Sequence, residues 1–167
     1  MNRIAALTQV LGLSLAVVVS GCTARVTPRA EKATAGKNPR QARAIAEIEA
    51  LGGKVTVDEK SPDKPVIGVS LRHIEVTDAG LECLKELPLL QLLDLDHTPV
   101  TDVGLKCLKG LTQLQLLDLE HTKMTDNGLE HLKGLTKLQS LNLEFTKVSD
   151  AGMNGLQKAL PNCTIEH

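Results

Sequence analysis

Thr101-Asp102-Val103-Gly104-Leu105 recurs as Thr125-Asp126-Asn127-Gly128-Leu129, and this repeated phrase sets the architecture of the chain. The same phrase stands earlier as Thr77-Asp78-Ala79-Gly80-Leu81 and later as Ser149-Asp150-Ala151-Gly152-Met153, always at a step of 24 residues. Between the copies runs Leu-x-x-Leu-x-Leu-x-x-Thr: Leu90/Leu93/Leu95/Thr98, Leu114/Leu117/Leu119/Thr122 and Leu138/Leu141/Leu143/Thr146. A period of 24 is shorter than the ~33–50 residues of helical and propeller repeats.

Each unit reads as a strand, a turn, a short helix and a return. Leu93 and Leu95 alternate with outward residues, the period of a strand. Thr101 reads as a helix N-cap, with Asp102 in the first turn against the positive end of the helix. Leu105, Leu108 and Leu111 then follow at helical spacing, and Gly110 suits a C-cap. One such unit cannot bury its own leucines, so the units stack. Strands stack ~4.8 Å apart and helices ~8–10 Å apart, which bends the stack with its strands inside.

The two motifs together resemble the leucine-rich-repeat family, most closely its F-box-associated, cysteine-containing subtype, over about 100 residues. The resemblance implies an α/β fold: a short solenoid with parallel strands on the concave face and short helices on the convex face. It also implies a protein-binding role. Thr98, Thr122 and Thr146 occupy the place where the family usually has Asn or Cys. They read as a structural ladder, hydroxyls serving backbone groups of the turn. Ile74 stands there in the first repeat, an atypical unit.

Outward from the repeats, residues 39–65 read as an N-terminal cap ahead of repeats spanning 66–167. Asn38-Pro39 opens a helix, Ala42, Ile45 and Ile48 recur along it, and Gly52-Gly53 ends it. Lys54–Val57 alternates like a strand, and Ser61-Pro62-Asp63-Lys64-Pro65 is turn chemistry leading to strand 66–71. A helix and hairpin there cover the edge of the first repeat. At the far end a short last strand is expected over Cys163–Glu166, leaving an open edge.

Residues 1–21 read as a signal peptide: Arg3, then an uncharged apolar run from Ile4 to Ser20. Val19-Ser20-Gly21-Cys22 looks like the lipobox of bacterial lipoproteins, which implies cleavage before Cys22 and its lipidation; an ordinary secretory signal is the alternative. Residues 22–38 read as the lipidated Cys22 and a basic flexible tether. From Thr23 to Arg43 six basic residues face Glu31 alone, a net of +5. The tether serves as a spacer or as a strip on anionic headgroups. Two or three acyl chains would hold the protein on a membrane. The expected localisation is therefore an exported, membrane-anchored lipoprotein of the cell envelope.

Around the buried leucines, strand geometry directs a set of residues to the concave face. Its candidate binding residues are His73, Asp94, Asp96, His97, Asp118, Glu120, His121 and Glu144, with Leu92 and Leu116 as an apolar pair. The histidines and the acids form ladders, and an acidic face suits a basic protein partner. Duplication without selection for contact is the competing account of these ladders.

A net charge of −1 with one Phe and no Tyr or Trp argues against a nucleic-acid binder. No catalytic fingerprint is present, so no enzyme is expected. No cofactor is implied. The sequence shows no three ligands converging, so no metal is assigned. Cys83 and Cys107 share one repeat position with His131, on helices too far apart for the ~7 Å disulfide limit. Cys163 takes a core position. The function expected is a lipid-anchored protein-binding module; the alternative is a structural or self-assembling envelope component.

Overall fold

The computed structural model describes residues 38–167. The expected signal segment, Cys22 and the tether up to residue 37 lie outside the described residues. The fold is the short α/β leucine-rich-repeat solenoid, one six-stranded sheet backed by short helices.

The cap comes first. Helix α1, Pro39–Ala50, starts where Asn38 accepts the Arg40 N–H and proline fills the first turn. It stops at Gly52, whose φ of 90° is glycine's territory. The Gly53 N–H then closes back on Ile48 O at 2.9 Å. The buried face is Gln41, Ala44, Ile45 and Ile48; Ala42 is only half-buried. Gln41 is a polar residue that the hydrophobic period passes over. Its amide donates to Lys64 O at 3.0 Å and accepts the Val66 N–H at 3.2 Å, which pins the hairpin to the helix.

Strand β1, Lys54–Val57, pairs antiparallel with β2, Val66–Ser70. All later pairings are parallel: β3 Leu92–Asp94, β4 Leu116–Asp118, β5 Ser140–Asn142 and β6 Thr164–Glu166. The register is the repeat itself. Val69, Leu93, Leu117, Leu141 and Ile165 stand side by side, as do Ser70, Asp94, Asp118, Asn142 and Glu166. Two positions on, Leu71, Leu95, Leu119 and Leu143 are all 0% exposed. A buried leucine contributes ~1.5–3 kcal/mol, and one continuous core joins cap and repeats.

The convex side departs from the expected α-helices. Asp78–Glu86 and Gly104–Gly110 are 3-10 helices, and α2, Asp126–Leu129, is a single turn. Only α3, Asp150–Ala159, runs as a longer α-helix. A 3-10 helix rises ~2.0 Å per residue against ~1.5 Å and is slimmer. It therefore spans the return of a 24-residue unit with fewer residues. Gly110 is not a left-handed cap either: Gly52 is the glycine with positive φ, and Leu111 ends that helix by donating to Leu108 O.

Asp102 also departs from its expected role at the helix end. Its carboxylate reaches the next repeat, taking the Thr125 N–H and hydroxyl at 2.7 Å each. Asp78 does the same for Thr101 and Asp126 for Ser149. The glycine of the phrase makes room for it. A Cβ on Gly128 would lie 2.6 Å from Asp102 Oδ1.

Candidate functional site

Three rows cross the strand ends, and each has an internal reason to exist. Asp94, Asp118 and Asn142 sit at one register position. Each accepts the backbone N–H two residues on, at 3.2, 3.0 and 3.0 Å. Asn142 does this without charge, so the turn requires an acceptor and not an anion. Ser70 also donates to Asp94 Oδ2 at 2.9 Å.

The second row is Asp96, Glu120 and Glu144, and Asp96 breaks the expectation of a solvated acid. It is 6% exposed. Its carboxylate receives Arg72 Nη2 at 3.2 Å and lies 2.5 Å from His97 Nδ1 and 3.8 Å from His73 Nε2. Desolvation pushes its carboxyl up, but the His97 hydrogen bond and the charges of His97, Arg72 and His73 together hold it below its ordinary value. Glu120 is engaged by Asn142 Nδ2 at 3.1 Å and lies 3.2 Å from His121 Nδ1. Glu144 is exposed.

The third row is the histidines, extended by Phe145. His73, His97, His121 and Phe145 all adopt left-handed backbone, φ 52–58°, which is rare outside glycine. Each histidine donates its backbone N–H to the carbonyl of the residue just before the next ring in the row, Asp96 O, Glu120 O and Glu144 O in turn. The turn thus aims four rings the same way. Their centroids lie 4.6, 3.9 and 4.4 Å apart, the last two pairs stacked. Sequence reading found the histidines but not Phe145 as their fourth member, although the 24-residue step from His121 points at it.

Two residues ahead of the first row, at the start of their strands, the sheet exposes Leu92 (40%) and Leu116 (44%). A hollow of ≈ 330 Å³ lies there, lined by Leu92, Leu116, Asp94, Asp118, Ser140 and Asn142 among others. Burial first, then neighbouring Asp94, Asp96 and Glu120, push the Asp118 carboxyl up. A larger hollow of ≈ 430 Å³, by α1, is lined mostly by charged residues, including Arg43 and Glu47, which pair with each other.

The threonines lie just below the rings. Thr98, Thr122 and Thr146 donate their hydroxyls to Leu95 O, Leu119 O and Leu143 O, all at 2.7 Å. Cys83, Cys107 and Cys163 are free and buried. Burial raises all three thiols, Cys107 to about 11. Among the described residues no helix is long and apolar enough to cross a membrane.

The leucine-rich-repeat family model matches residues 88–148. An internalin from Listeria monocytogenes superposes with a TM-score of 0.52 at 20% identity, over 74% of this chain and 35% of that one. A leucine-rich-repeat protein of Leptospira interrogans gives 0.42 at 24% identity, over 52% of this chain and 21% of its own. An internalin C2 of Listeria monocytogenes gives 0.43 at 20%, over 79% of this chain and 64% of its own. The chain thus spans less than two thirds of each of these proteins. No curated protein matches by sequence. The internalin likeness shows the fold, a leucine-rich-repeat solenoid.

Proposed function

We propose that this protein is a lipid-anchored protein-binding module of the bacterial cell envelope, exported by residues 1–21, held by Cys22, and engaging its partner through the concave face. The observation that carries the binding reading is the hollow at Leu92 and Leu116 with Asp118 on its rim. Exposed leucines beside a crowded carboxylate suit a partner segment offering an apolar side chain flanked by Lys or Arg. Burial first and then the neighbouring acids raise the Asp118 carboxyl, and an arriving cation relieves the second of these. Asp94, Asp118, Glu120 and Glu144 are the acids available to it, whereas Asp96 already serves Arg72 and His97.

The face is small. Five parallel strands ~4.8 Å apart, each presenting ~10–13 Å, give ~300 Å², against ~800 Å² per partner in a standard interface. Micromolar affinity is the expected scale, with anchoring on the membrane raising the effective concentration. The test is a salt titration of a partner recovered from envelope extract, on wild type and on Asp118→Asn plus Glu120→Gln. Binding that fades with salt and with neutralisation supports the face. A nanomolar partner indifferent to both removes it. Self-association of the purified chain in light scattering would favour the structural alternative.

A further inference from the structure

The histidine row and the buried carboxylate beneath it belong to no part of the binding surface argued above. Each turn after a strand throws a histidine into the same left-handed position, and the 24-residue register lays these rings side by side. The register also sets Asp96 under two of them. One ligand atom each from His73, Asp96 and His97 come within 4.8 Å of one another. Two imidazole nitrogens and a carboxylate oxygen gathered this closely are a donor set for a transition-metal dication.

We propose that His73, Asp96 and His97 form a binding site for a divalent transition-metal ion, with Zn²⁺ the ion whose ligand preferences they meet. Zinc–nitrogen and zinc–oxygen bonds of ~2.0–2.2 Å in a tetrahedron place ligand atoms ~3.3 Å apart. Each histidine already stands beside one oxygen of the carboxylate, His97 Nδ1 2.5 Å from Asp96 Oδ1 and His73 Nε2 3.8 Å from Asp96 Oδ2, on either side of that value. Closing the difference calls on the His73 side chain, which at 57% exposed has room to turn. Three protein ligands leave a fourth position for water.

A second triad, Asp96, Glu120 and His121, shares the same carboxylate. It offers one nitrogen and two carboxylates, a harder set, so a borderline ion such as Zn²⁺ takes the first. The flanking acids Asp94, Asp118 and Glu120 add negative charge that favours a cation. Against this stands Arg72, whose guanidinium holds Asp96 Oδ2 at 3.2 Å. The cation must displace it. The Arg72 side chain is 58% exposed and gives way into solvent, so Arg72 competes for the site and does not block it.

That competition makes the site testable. Zn²⁺ binding to the untagged full-length chain is measured by calorimetry at neutral pH, on wild type and on His73→Gln, His97→Gln and Arg72→Gln. Outer-sphere losses alone cost about 10–100-fold in metal affinity, so each histidine variant should lose at least that much. Arg72→Gln should bind several-fold tighter, an outcome that a merely structural role for the row does not produce. Unchanged melting of the metal-free variants by circular dichroism shows that the fold is kept; His73→Gln, the more exposed position, decides the matter if His97→Gln unfolds. Zn²⁺ binding that is absent in wild type overturns the site. So does binding that survives both histidine replacements, or that weakens in Arg72→Gln.

Discussion

The carboxylate of Asp102 grips both the backbone N–H and the hydroxyl of Thr125, at 2.7 Å through Oδ1 and 2.7 Å through Oδ2. Together with Asp78 on Thr101 and Asp126 on Ser149, it stitches each turn of the solenoid to the next. Replacing Asp102 by Ala leaves a partly buried N–H and hydroxyl unpaired. Stability should fall by ~1–3 kcal/mol, seen as a lower urea midpoint. Asp150 holds the same place in the phrase, but its side chain is 88% exposed with His167 Nδ1 at 3.9 Å. Asp150→Ala should cost less than ~0.5 kcal/mol. Equal losses for the two would show that the stitch carries no stability.

The same grip fixes the sign of glycine replacements. At Gly128 a Cβ would meet Asp102 Oδ1 at 2.6 Å and Leu105 Cδ1 at 2.9 Å, both held in place. Gly128→Ala should destabilise by ~1–3 kcal/mol despite alanine's helical advantage. Gly155, inside α3, faces open space. Gly155→Ala should stabilise by roughly 0.5–1 kcal/mol, the ordinary gain in a helix. Thermal melts of the two variants should move in opposite directions; a shared direction would mean the Asp102 carboxylate yields freely.

These lateral links explain what the sequence hid. Strand, turn and return were legible because leucine spacing reports burial directly, and the 24-residue step reports register. Asp102 was legible only as a helix-end acid, because a bond to a residue 23 positions on depends on how neighbouring repeats are offset. Asp96 looked like its solvated neighbours until Arg72 and two histidines closed over it. The left-handed backbone that stacks His73, His97, His121 and Phe145 leaves no compositional mark, since glycine, its usual sign, is missing from all four positions. Gln41 escaped for a similar reason: its worth lies in two backbone partners on the hairpin.

The threonine row makes a sharper test of turn chemistry. Thr122 Oγ1 donates to Leu119 O at 2.7 Å in a buried setting, while the Thr122 N–H reaches the same carbonyl at 3.3 Å. Thr122→Val keeps the shape and removes the stronger bond. A cost of about 1 kcal/mol is expected, toward the lower end of the range for a buried group losing its partner, because the carbonyl keeps the N–H. Gln113→Ala, which removes only an exposed hydrogen bond from Lys137 Nζ, serves as the control, expected within ~0.5 kcal/mol. Urea midpoints that coincide would remove the ladder's structural role.

The proposed anchor is tested on Cys22 itself. Cys22→Ser should shift the protein from the membrane to the soluble envelope fraction, or leave its precursor uncleaved, with the mass change read by spectrometry. Acylation consistent with two or three chains gives stable attachment, whereas one chain does not. Identical mass and identical membrane retention in the variant would dismiss the lipoprotein reading.

Two acids in neighbouring repeats should respond to neutralisation with opposite signs. Asp96 has a depressed carboxyl: desolvation raises it, and the favourable contacts from His97, Arg72 and His73 outweigh that effect. Its contribution to stability is present in full above the unfolded value, close to 3.8, and drains away as pH falls through the lower folded value. Asp118 is raised, by desolvation first and then by Asp94, Asp96 and Glu120. Its ionised form opposes folding, so stability linked to it is lost as pH rises through the folded value. At pH 7, Asp96→Asn should therefore destabilise and flatten the decline in acid. Asp118→Asn keeps an oxygen for the Glu120 N–H and should leave stability at pH 7 unchanged or raised, with its benefit shrinking below pH ~4. Melting curves between pH 3 and pH 7 decide it. Should Asp118→Asn destabilise as much as Asp96→Asn, the crowding of acids around the Leu92–Leu116 hollow is not what shapes that surface, and the attraction offered to a basic partner loses its basis.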